Sequence, residues 1–117
     1  MPAADFEDSP QVAASVQRWL EHLGAVLFPG IMEDQIEEMM RPVSRDSAWL
    51  AHGGSGRRSR FYLVDEPVQV RFDFDGQGVL TSYAVHPRRE PWRKAPDGTL
   101  LQGGDAPDVP IHFVGKD

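Results

Sequence analysis

The sequence predicts an α+β domain: two N-terminal helices packed on one face of a four-stranded antiparallel meander, then an irregular C-terminal tail. Three observations lead there. Up to Met40 the apolar residues recur at helical spacing. From Ser47 to His86 they alternate with period two. Beyond Pro87 neither period persists. With 117 residues, the chain has the size of one domain and can bury a core without cross-links. The expected division is a flexible arm over 1–8, one domain over 9–86 and a Pro/Gly-rich tail over 87–117 packed on that domain.

Ser9-Pro10 is a helix start, because Ser can cap and Pro at the first helical position loses nothing by lacking an N–H. Val12, Val16, Trp19, Leu20, Leu23 and Leu27 then fall on one helical face, with Gly24 loosening the end and Pro29-Gly30 stopping it. The second helix should run from about Met32 to Met40. Glu33 and Asp34 in its first turn suit the helix dipole, Ile36, Met39 and Met40 form its apolar face, and Pro42 ends it.

The strands follow. Ser47–His52 leads into the turn Gly53-Gly54-Ser55-Gly56. In Ser59–Val64, Phe61 and Leu63 lie on one face, Arg60 and Tyr62 on the other. Asp65-Glu66-Pro67 turns the chain. Val68–Phe74 alternates most clearly, with Gln69, Arg71 and Asp73 between its apolar residues. Asp75-Gly76-Gln77-Gly78 is a hairpin turn before Val79–His86. With the helices on one side, the opposite face is expected to carry Arg60, Tyr62, Gln69, Arg71, Asp73, Ser82 and His86. In the tail, Trp92, Leu100, Leu101, Ile111 and Phe113 supply packing.

Two segments carry a family resemblance. Phe28-Pro-Gly-Ile-Met-Glu-Asp-Gln-Ile-Glu-Glu-Met-Met40 resembles the "GMT-x-x-Q-V/I" helix start of the SmpA/OmlA outer-membrane-assembly lipoproteins. Val70-Arg-Phe-Asp-Phe-Asp-Gly-Gln-Gly-Val-Leu80 is similar to that family's "v-x-F-d-x-x-G-x-l" hairpin. The resemblance covers roughly residues 28–86. It implies the helix-helix-sheet fold, shared with the β-lactamase-inhibitor-protein-like fold, and a habit of binding proteins through the sheet. Met32 stands where the family has its capping Thr, and the chain lacks both the lipobox Cys and a signal peptide.

The constellations for chemistry are sparse. Having no cysteine, the chain offers no disulfide, thiol nucleophile or Cys-based zinc site. His22, His52, His86 and His112 show no metal spacing, although His52 and His86 could meet across strands. Asp73-Phe-Asp75-Gly76 lacks the further ligands of a calcium loop and reads as a hairpin turn. Gly54-Ser55-Gly56 is not a nucleophile elbow. Gly53 to Arg58 could cradle a phosphate but lacks the Walker lysine, so it reads as a mobile hairpin loop. Glu33, Asp34, Glu37 and Glu38 read as a solvated acidic face rather than catalytic carboxylates.

The net charge of −6 is uneven: −6 over residues 1–50, +3 over 51–94 and −3 over 95–117. Overall acidity argues against non-specific nucleic-acid binding, and acidic helices should attract a basic sheet. With no basic-apolar leader and no long apolar run, a soluble cytoplasmic protein is expected, away from membranes. The functional expectation is a non-enzymatic protein-binding module, inhibitor-, immunity- or adaptor-like, without cofactor or metal, monomeric or homodimeric. It would grip another protein through Arg60, Tyr62, Arg71, His86 and Trp92, since Trp, Tyr and Arg dominate interface hot spots. The alternative is a small-molecule binder or minor enzyme with a pocket between sheet and helices.

Overall fold

Residues 10–64, 68–88, 91–103 and 109–114 are described by a computed structural model of the chain. The expected arm over 1–8, the Ser9 cap and the turn Asp65-Glu66-Pro67 lie outside the described residues. Helix α1 spans Pro10–Val26 and buries Val12 and Leu23. Gly24 does not end it: the Leu27 N–H still reaches the Leu23 carbonyl at 2.9 Å.

Helix α2, Glu33–Met40, begins on the sheet itself. Glu33 N–H donates to the Gly78 carbonyl and Leu80 N–H to the Ile31 carbonyl, both at 2.9 Å. Met32 occupies the capping position without an oxygen to cap, and its own N–H goes instead to Gln35 Oε1 at 2.9 Å. The helix start is thus stitched to the turn that opens the fourth strand.

The strands are β1 Asp46–Ala51, β2 Arg58–Leu63, β3 Val68–Phe74 and β4 Leu80–Pro87, paired antiparallel in sequence order. The tail departs from the irregular course expected of it. Arg93–Lys94 (β5) and Leu100–Gln102 (β6) form a second, two-stranded sheet, and His112–Phe113 (β7) pairs with β4 as a fifth strand of the main sheet. Among the described residues no helix is long and apolar enough to cross a membrane.

Register decides the faces, because residues directly opposed across antiparallel strands share a side. Tyr62 opposes Val70, which opposes Val85; Phe61 opposes Arg71, which opposes Ala84. Tyr62 therefore joins Val70, Phe72, Phe74, Tyr83 and Val85 beneath the helices, in one buried cluster with Leu23, Ile31, Ile36 and Met40. Phe61 points the other way and packs with Ala48 and Leu100 under Trp92 and Leu50. The phase of β2 is inverted relative to expectation. Arg60 and Tyr62 do not share the face that carries Gln69, Arg71, Asp73, Ser82 and His86.

The inversion has an electrostatic cause. Glu33 is buried, and its carboxylate takes Arg58 Nε and Nη2 on Oε1 (2.9 and 2.6 Å) and Arg60 Nε on Oε2 (2.6 Å). Two arginines two residues apart on one strand thereby face the helices, with a counter-ion already in place. Burial alone would raise the Glu33 pKa. The hydrogen bonds from Arg60 and Arg58, with their charges, outweigh it and hold the carboxyl below its usual 4.5.

Replacing Glu33 by Gln removes the charge beneath Arg60 and is expected to cost about 2 kcal/mol in urea unfolding, below the ~3–5 kcal/mol of a fully buried pair because the Arg58 side chain is 46% exposed. The group's pKa is lower folded than unfolded, so its stabilisation is complete above the unfolded value. The gap between wild type and Glu33→Gln should hold at neutral pH and close as pH falls below 4.5. A gap that widens in acid would contradict the ion-pair account.

Candidate functional site

The helix face of the sheet is a packed apolar core; the second face is polar down its centre. On β3, Gln69, Arg71 and Asp73 alternate onto that face. The flanking strands set His86 and Leu63 beside Gln69, Ala84 and Phe61 beside Arg71, and Ser82 and Ser59 beside Asp73.

Part of this face is covered by the β5–β6 hairpin, which is pinned to β1. Trp49 N–H donates to the Gly98 carbonyl at 3.1 Å, Trp49 Nε1 to the Asp97 carbonyl at 3.1 Å, and Lys94 Nζ to Asp46 Oδ1 at 2.6 Å. Trp92 follows from this placement and donates its Nε1–H to Gln69 Oε1 at 3.1 Å. Gly103 permits the fit: it sits at φ +106°, and a Cβ there would lie 2.8 Å from the Pro91 carbonyl and 2.9 Å from the Trp92 ring.

Three of the five residues expected to bind a partner are brought together around Gln69. Arg71 is the next residue on its face of β3, His86 pairs with it across β4, and Trp92 bonds its amide. Arg60 and Tyr62 are on the far side of the sheet. Tyr62 is 2% exposed and its hydroxyl has no aligned hydrogen-bond partner; burial drives its pKa above 10.0. Arg60 is engaged with Glu33. Neither offers itself to a partner, because both belong to the contact between sheet and helices.

Toward the far end of the strands lies a cleft of about 460 Å³ whose lining joins His52, Arg57, Asp73, Thr81, Ser82 and Phe113 with Arg58 and Phe74 from the helix side. Its floor is a chain of hydrogen bonds. Ser59 Oγ donates to Asp73 Oδ1 at 2.6 Å, Ser82 Oγ donates to Asp73 Oδ2 at 2.9 Å, and His52 Nε2 lies 2.8 Å from Ser59 Oγ. Arg71 Nε stands 3.3 Å from Asp73 Oδ1 as an ion pair. Histidine, serine and aspartate here are in the wrong order for nucleophilic catalysis. The one hydroxyl hydrogen of Ser59 goes to the carboxylate, so His52 Nε2 must donate to Ser59, whereas a triad histidine accepts from it. Ser59 is also only 1% exposed. The arrangement holds Asp73 in place; it does not activate a nucleophile.

The other candidate constellations come apart. His52 and His86 do not meet: β1 and β4 are separated by two strands, and each histidine lies at a different end of its ladder. Asp75 forms the hairpin turn expected of it. Its Oδ1 accepts the Val79 and Gln77 N–H groups, and these bonds hold its carboxyl below the usual range. The glycine loop after β1 is folded onto itself, with Ser55 Oγ donating to the His52 carbonyl and Gly56, at φ +79°, against Gly76; a Cβ there would lie 3.2 Å from the Gly76 Cα. The four acids do not form one solvated face: Glu33 is buried against Arg58 and Arg60, while Glu38 pairs with Arg41 at 3.1 Å. Among the described residues no three His, Asp or Glu side chains gather where a metal could sit.

Ser59 escaped the sequence reading, His52 entered it only as a partner for His86, and Phe113, expected to pack the tail with Leu101 and Ile111, is instead exposed as they are. The register of β2 hid Ser59, and a two-residue strand gives Phe113 no periodic signal. Compared with family models, curated proteins and solved structures, the chain finds no match.

Removing Asp73 leaves the Ser59 hydroxyl without its acceptor and Arg71 without its counter-charge. Asp73→Ala is expected to cost about 2–3 kcal/mol and Ser59→Ala about 1 kcal/mol. The double variant should fall short of their sum by roughly 1 kcal/mol in urea unfolding, because both act on one bond. Strict additivity would mean that the Ser59–Asp73 bond carries no coupling.

Proposed function

We propose that the protein is a non-catalytic binding module that takes a segment of another protein onto the second face of its sheet. The observation that carries this reading is the cleft between the β1–β2 loop and β7, with a fixed polar floor and Phe113, 65% exposed, in its lining. An exposed aromatic beside an ordered set of polar groups is the usual make-up of an interface anchor. Among the described residues β7 is the edge strand of the main sheet, the position at which an extended segment can add. The buried, carboxylate-bound Ser59 speaks for binding rather than acyl transfer. A small-molecule ligand is the second reading, because about 460 Å³ lies within the ~300–1,000 Å³ of ordinary ligand pockets.

The test is capture with tagged wild type and with Phe113→Ala, followed by binding of the purified partner. Phe113 is largely exposed, so its removal should leave folding intact while weakening the partner's affinity by about tenfold or more. Unchanged affinity in Phe113→Ala would overturn the assignment of this face. Ligand-induced stabilisation in a metabolite screen, without any protein captured, would favour the second reading.

A further inference from the structure

The β5–β6 hairpin is tied to the fold more lightly than the strands it covers. It forms a sheet of its own, and among the described residues a single bridge, Trp49 to Thr99, joins it in strand fashion to β1. The apolar contact beneath it is small: Ala48, Phe61 and Leu100 are buried there, against thirteen residues in the cluster under the helices. Its outer side faces solvent, with Arg93, Leu101 and Gln102 exposed. The polar ties across the seam include the Trp49 and Trp92 N–H groups on carbonyl oxygens and the Lys94 ammonium on Asp46 and the Ser47 carbonyl, all bonds that water can replace. The strip beneath is not made as a core. Gln69 is fully buried; its Oε1 accepts the Trp92 indole N–H, and its Nε2 has no acceptor. An open hairpin gives that amide to water, so the closed form carries a cost that the open form does not.

We infer that the β5–β6 hairpin is a strap: closed in the resting fold, it lifts from the second face while the five-stranded sheet stays folded. Two-stranded hairpins are marginally stable alone and owe their order to what they pack on, and proteins open first where apolar contact is least. Lifting uncovers Phe61 and Gln69. Because Gln69, Arg71 and Asp73 alternate along β3 and Asp73 lines the cleft, the strap sets how far the polar floor of the cleft extends along that strand. Closure depends on Gly103 at the end of the strap. At φ +106° it seats against Pro91 and Trp92, where a Cβ would meet the Pro91 carbonyl at 2.8 Å. The motion needs no partner and is independent of the part Phe113 plays.

Hydrogen exchange followed by NMR in the whole chain, corrected for intrinsic rates, tests the strap. The seam reporters are the Trp49 backbone and indole N–H groups and the Trp92 indole N–H; the sheet reporters are the amides of Val70, Phe72 and Val85. The expected result is one common opening for the three seam groups, populated roughly a hundredfold or more above the opening of the sheet amides. Gly103→Ala should raise seam exchange a further ~tenfold, because Ala is strained at positive φ, and move the Trp92 indole resonance toward that of an exposed indole, with the sheet amides unchanged. Lys94→Ala removes the tie to Asp46 from a largely solvated position and should raise seam exchange several-fold, which keeps the test in hand where Gly103→Ala does not fold. Seam groups that exchange as slowly as the sheet amides would overturn the strap, since they then open only with the whole fold. Three unrelated seam rates would overturn it as well, being local fraying without a common motion. Equal acceleration of seam and sheet in the variants would make the hairpin part of the global unit and contradict the proposal.

Discussion

Glu33 brings one carboxylate to the seam between α2 and the sheet, and strand β2 takes both of its oxygens, Arg58 on one and Arg60 on the other. Much of the fold follows from that contact. It commits the even-numbered residues of β2 to the helix side and carries Tyr62 into the main core. It therefore turns Phe61 to the opposite side, where a bare aromatic needs cover. The tail supplies it: Leu100 and Trp92 close over Phe61 and Ala48, and the hairpin that carries them is held to β1 through Trp49 and Lys94. One carboxylate held by two arginines on the first face thus explains why the second face has a small core of its own.

The same contact organises the polar groups. Once Phe61 faces outward, Ser59 shares its side and falls opposite Asp73, with Ser82 on the other flank. The cleft floor is the consequence of this register. Its hydrogen bonds fix Asp73 rather than activate Ser59. Polar groups held this firmly beside an exposed Phe113 present a shaped surface with little reorganisation left to do.

The sequence was legible where one physical signal dominated. Strand β3 alternates without ambiguity, and Gln69, Arg71 and Asp73 were placed on the correct face for that reason. The helices showed themselves by spacing, and the charge asymmetry between acidic helices and basic sheet is realised in Glu33 with Arg58 and Arg60. Strand β2 was ambiguous in kind. Arg60 and Tyr62 alternate with Phe61 and Leu63, both sets hold a large apolar ring, and period two gives no phase. The phase is set by a carboxylate more than twenty residues earlier. The tail strands have two or three residues each and are located by contacts such as Trp49 to Asp97 across 48 positions, for which no local pattern exists.

The two-faced character of β2 is the central claim, and nuclear Overhauser contacts from Phe61 test it most directly. The account predicts contacts from the Phe61 ring to the Leu100 methyls and the Trp92 indole, with Tyr62 in contact with Phe72, whose ring centre lies 5.8 Å away. Contacts from Phe61 to Ile36 or Met40 would place it beneath the helices and contradict the register on which the second face depends.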